Sequence, residues 1–71
     1  MVPHLLRRLR EGADLTQRQL AERLGKSQQT IHSSETGSRR VDLGEFCRWV
    51  EACGLTPVQG LELYLSQRPK K

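Results

Sequence analysis

Apolar residues along this chain fall into short stripes of helical period, each opened by polar caps, with one conspicuous gap. Leu5, Leu6 and Leu9 lie on one side of a segment whose other side is arginine, which predicts a helix over about residues 3–11, interrupted by Gly12 and Asp14. Thr16 and Gln19 stand as the two halves of a capping box, and Leu15 and Leu20 have the spacing of a hydrophobic staple. A second helix therefore starts there, with Leu20, Ala21 and Leu24 as its apolar face. Glu22 precedes Lys26 by the spacing of a helical ion pair, and Gly25 suits the left-handed residue that ends a helix. Asp42 with Glu45, and Val41 with Phe46, repeat the start signals. They open a fourth helix whose apolar side is Leu43, Phe46, Trp49, Val50 and Cys53, ending at Gly54. Thr56, Pro57 and Gln59 announce a fifth, with Val58, Leu61 and Leu65 as the stripe expected to face the core.

The gap is "SQQTIHSSETG", residues 27–37, where Ile31 is the sole apolar side chain. Periodicity alone reads it as loop, but Ser27 is a good N-cap and predicts a third helix over about 28–35. Such a helix turns Ile31, Ser34 and Glu35 to one face and Gln28, Gln29, His32 and Ser33 to the other. The pattern as a whole predicts an all-α, five-helix domain over residues 1–67 and a frayed basic tail over 68–71.

With 71 residues there is room for one small core, worth only a few kcal/mol of net stability, and none for a broad catalytic cleft. His4 and His32 are far apart in sequence, and Cys47 and Cys53 point to different sides of one helix. Neither paired carboxylates nor a phosphate-cradling loop is present, so no enzyme, metal site or cofactor is expected. The two cysteines read as packing residues, not as a disulfide framework. "MVPHLLRRLREG" has too short an apolar run for a signal peptide, and no stretch nears the roughly 20 apolar residues of a membrane span. A cytoplasmic protein without a membrane partner is expected. Net charge is +4, with the cations spread along the chain, which favours an anionic partner.

Two short helices joined through "LGKS" have the helix-turn-helix spacing, with Ala21 small where the second helix passes, Gly25 at the turn and Ile31 as anchor. "LTQRQLAERLGKSQQTIHSSETGSRR" resembles the DNA-binding core of the Cro/C1-type (XRE) family, which includes phage repressors. "DLGEFCRWVEACGLTP" is similar to that family's fourth helix and the start of its fifth. The sequence departs from the pattern at Ser34, where a larger apolar residue is usual, at Val41, where proline is frequent, and at Cys53, where leucine is common.

The resemblance implies a lambda-repressor-like fold and a small transcriptional regulator, a repressor of prophage or bacterial promoters, binding a double-stranded DNA operator. An amide side chain both donates and accepts, as glutamine does on adenine, so the polar helix suits base edges. Gln28 and Gln29 are the expected base readers, with Ser33 one turn further along and Ser27 and His32 in the same set; the plain alternative is a solvated polar face. Thr16 and Gln17 at a helix N-terminus, Thr30, and Arg39 and Arg40 after the third helix are expected on phosphates, with Arg18 and Lys26 as weaker candidates. The alternative for the arginines is ordinary surface charge. Arg10 and Glu35, on the inner edges of their helices, are implied to form a structural ion pair across the core.

A single short recognition helix reads few base pairs, so a homodimer on half-sites about 34 Å apart is expected, in free solution or only on DNA. Leu63 and Tyr64 are its expected contacts. The competing reading is an antitoxin that binds a toxin partner and its own operator, which a toxin gene alongside would favour.

Overall fold

The computed structural model describes residues 3–67 and contains five helices: α1 (Pro3–Gly12), α2 (Gln17–Leu24), α3 (Gln28–Thr36), α4 (Leu43–Ala52) and α5 (Pro57–Gln67). The expected tail over 68–71 lies outside the described residues. No strand occurs among the described residues, and none of their helices is long and apolar enough to cross a membrane.

The caps set the boundaries. Thr16 Oγ1 accepts the Gln19 N–H at 3.0 Å while Gln19 Oε1 accepts the Thr16 N–H at 2.9 Å, closing the box that starts α2. The same reciprocal arrangement joins Asp42 to Glu45 before α4 and Thr56 to Gln59 before α5. Ser27 Oγ accepts the Thr30 N–H at 3.1 Å and begins α3. Between α2 and α3 the chain reverses at Gly25, whose φ of 66° is the left-handed conformation that glycine adopts without a Cβ penalty.

That turn corrects one expectation. Glu22 and Lys26 form no ion pair, because the left-handed residue between them takes Lys26 off the helical path on which residues four apart are neighbours.

Leu5, Leu6 and Leu9 of α1, Leu20 and Ala21 of α2, Ile31 of α3, and Phe46, Trp49 and Val50 of α4 form the core, closed by Leu15, Val41 and Cys53 from the segments between or beyond helices. The Trp49 indole N–H donates to the Leu6 carbonyl at 3.1 Å, so its one polar group is satisfied within the core. Ser34 is fully buried; its Oγ donates to the Thr30 carbonyl at 2.9 Å and accepts from Arg39 at 3.4 Å. Beside it a partly open pocket of about 30 Å³ remains, bordered by Leu24, Ile31, Val41 and Trp49 and by the polar side chains of Arg39, Glu45 and Arg48.

Two apolar assignments are corrected. Leu43, at the first turn of α4, is 64% exposed, while Phe46, Trp49 and Val50 carry the buried face of that helix. In α5 the stripe of Val58, Leu61 and Leu65 is outside, at 66%, 46% and 47% exposure. The face turned inward is Gly60, which is buried, flanked by half-buried Pro57 and Tyr64. A Cβ on Gly60 would collide with the methyl groups of Val50, so α5 sits against α4 at a distance that only glycine permits. Close approach through Gly60 sets the rotation of the helix and turns its aliphatic residues away. Tyr64, expected at an outer contact, packs on the core.

Candidate nucleic-acid interface

Helix α3 owes its position to α1 and α2. Arg10 of α1 donates from Nε and Nη2 to both carboxylate oxygens of Glu35, at 2.6 and 3.0 Å, and its Nη1 donates to the Leu15 carbonyl at 2.8 Å. Side-chain exposures of 12% and 3% place this fork-on-fork pair at the core boundary. The hydrogen bond to Glu35 raises the Arg10 pKa further above its ordinary range, against the opposing effect of burial. A guanidinium that also closes the loop before α2 thus ties three elements together. No buried side-chain polar atom among the described residues lacks a partner.

With its inner face fixed in this way, α3 exposes Gln28, Gln29 and His32 on the opposite side, with Ser33 half-buried at their edge. Gln29 Nε2 donates to Ser33 Oγ at 3.3 Å, a contact that restrains the amide without consuming its oxygen. Ser27 and Thr30 stand at the start of the helix, their hydroxyls 2.9 Å apart, and Ser27 also serves as the N-cap. Gln17, Gln28, Gln29 and His32 together line an open hollow between the beginning of α2 and α3.

The expected backbone-binding residues divide on inspection. Of the four free N–H groups that begin any helix, the Thr16–Gln19 box takes two, which leaves those of Gln17 and Arg18 at the N-terminus of α2. The Gln17 side chain is engaged within the protein: its Nε2 donates to Glu35 Oε1 at 3.2 Å and lies 3.5 Å from His32 Nδ1. Arg39 and Arg40 also separate. Arg39 is ion-paired with Glu45 and touches Ser34, so it ties the loop after α3 to α4. That pair holds the Glu45 carboxyl below its ordinary range. Arg40 is exposed and forms no ion pair with any described residue.

Sequence reasoning missed the internal roles of Gln17 and Arg39, and it missed Arg7. The last borders a second hollow with His32 and Thr36 and pairs with Glu11 at 3.1 Å. Amphipathicity marks Arg7 as exposed; no local signal says which surface it joins. Among the described residues no group of three or more His, Cys, Asp or Glu is placed to hold a metal.

A family model described as a helix-turn-helix domain matches residues 4–63. The chain belongs to the XRE, or Cro/C1-type, helix-turn-helix family. A solved structure titled "XRE-family like protein from Pseudomonas syringae pv. tomato str. DC3000" is similar to it, with 33% sequence identity and a TM-score of 0.82 over 94% of this chain and 82% of that one. No curated protein matches. Membership makes this XRE-family domain a sequence-specific DNA-binding regulator, not an enzyme, with a lambda-repressor-like fold.

Proposed function

We propose that α3 of this domain lies in the major groove and that the protein is a small repressor of prophage or bacterial promoters, acting as a homodimer. One observation carries the reading: the outer face of α3 exposes the amides of Gln28 and Gln29 and the imidazole of His32 on a helix whose inner face is locked by the Arg10–Glu35 pair. A polar face costs nothing in water, but a rigid one is what base readout needs, because bidentate contacts tolerate little misplacement.

In this reading Gln28 and Gln29 contact base edges, with Ser33, His32 and Ser27 at the limits of the set. Phosphates bind at the N-terminus of α2, through the N–H groups of Gln17 and Arg18 beside Thr16, and on the other flank at Thr30 and Arg40. Arg39 reaches the backbone with the donors that Glu45 leaves free, and its larger part is to hold the loop that presents Arg40. The dimer contact passes to the exposed aliphatic residues of α5, Val58, Leu61 and Leu65, with Leu63 on the opposite flank and Tyr64 behind them in the core. Two copies supply the second half-site that one short helix cannot read.

The test is selection of bound fragments from random duplex DNA, followed by competition with variants. Gln29→Ala should cost about 1–3 kcal/mol and relax preference at one base pair. Arg40→Ala should weaken all duplexes alike and reduce the salt slope by about 1. Unchanged sequence preference in Gln29→Ala would remove the base-reading assignment.

A further inference from the structure

We infer that the core ion pair fixes the tautomer of His32 through Gln17, so that His32 meets the duplex as a hydrogen-bond donor and selects an acceptor atom there; the inference rests on the proposed placement of α3 in the major groove. Glu35 is held by two bonds from Arg10, and its Oε1 also takes the Gln17 side chain at 3.2 Å. An ionised carboxylate only accepts. The Gln17 amide must therefore turn its nitrogen, not its oxygen, toward Glu35, and the orientation of that amide is settled by chemistry.

The same nitrogen lies 3.5 Å from His32 Nδ1. An N–H can be received only by a ring nitrogen without a proton, so in the neutral ring Nδ1 is the acceptor and the proton resides on Nε2. The remaining polar group of the imidazole is then a donor. His32 is exposed and shares an open hollow of about 370 Å³ with Gln17, Gln28 and Gln29, where it stands between the proposed base readers and the N-terminus of α2. A donor in that position is matched by a base-edge acceptor (purine N7, guanine O6 or thymine O4) or by a phosphate oxygen, and is refused by the amino groups of adenine and cytosine. Gln28 and Gln29 can satisfy donors and acceptors alike. His32 adds a one-signed contact, and Gln17 is its positioning residue.

Two measurements on the full chain test this. Imidazole nitrogen NMR of the free protein above the histidine titration range should show His32 with Nδ1 bare and Nε2 protonated, and Gln17→Met, which keeps the length of the side chain but has no donor, should spread the ring over both tautomers. In competition binding on a selected duplex, single base-pair substitutions and single neutral methylphosphonate linkages are introduced in turn. One modification should weaken wild type roughly 3- to 10-fold, the range of one net hydrogen bond, yet change His32→Ala by less than about 2-fold. A responding base pair places the acceptor on a base edge, and a responding linkage places it on the backbone. A proton on Nδ1, or identical responses of wild type and His32→Ala at every modification, would overturn the inference alone. A chain that binds no duplex selectively would overturn the interface reading and this inference with it.

Discussion

Helices α3 and α5 reach stable positions by opposite means. Helix α3 has one large apolar side chain, Ile31, and is fixed by a bidentate ion pair, a buried serine and an amide from α2. Helix α5 has four large aliphatic residues, all substantially exposed, and packs through a glycine and a tyrosine. Hydrophobic content is therefore a poor guide to anchoring in this molecule. Directional bonds leave a helix free to present a polar face, whereas a helix docked by close backbone approach is left with apolar surface for something else.

The largest test is removal of the α3 anchor. Arg10→Ala or Glu35→Ala strands the partner charge at the core boundary and should cost about 3–5 kcal/mol. In a domain of this size that is a fall in Tm of well over 10 °C, or unfolding at room temperature, read by circular dichroism. A Tm within a few degrees of wild type would show that the pair does not hold the helix. Next is the α5 anchor. Helix propensity alone favours Gly60→Ala by about 1 kcal/mol, but the added Cβ overpacks against Val50 at a cost of about 1–3 kcal/mol. Net destabilisation in urea is expected, and a stabilised variant would mean that α5 docks by another face.

Smaller still is the Arg39–Glu45 tie. Arg39 depresses the Glu45 pKa from an ordinary value of 4.5, so its contribution is complete above that value and is lost as pH falls through the lower folded one. Glu45→Gln keeps the capping acceptor and removes the charge. Thermal unfolding should separate it from wild type by about 1 kcal/mol or less at neutral pH, with the gap closing as pH falls below 4.5 and through the lower folded pKa. Smallest in stability is Leu61→Glu with Leu65→Glu, which should change it by no more than about 0.5 kcal/mol because both side chains already meet solvent. The same double variant should abolish self-association, by sedimentation or by cooperativity on a symmetric operator. Unchanged cooperativity would remove α5 from the proposed dimer.

The parts of this protein legible in its sequence are those decided within a few residues. Thr16, Ser27, Asp42 and Thr56 each cap a helix because a cap is a contract between neighbours, and Gly25 ends α2 because a left-handed residue is a local demand. The polar run from Ser27 to Gly37 could be read as a helix for the same reason, and its outer set of Gln28, Gln29 and His32 followed from the inward placement of Ile31.

What needed the tertiary structure involved distance along the chain or the absence of a side chain. Gln17 meets Glu35 eighteen residues away, and Arg39 is drawn to Glu45 across the boundary between two helices; both are polar side chains whose exposed appearance in the sequence gives no hint of a partner. In α5 the count of leucines pointed to the wrong face, because periodicity weighs side chains and the decisive residue, Gly60, has none. Sequence alone determined which segments are helices and what each outer face offers chemically. Only the fold decided which face of α5 is outer and which distant partners Gln17 and Arg39 take, since that depends on how closely two backbones can approach and on which charges meet once they do.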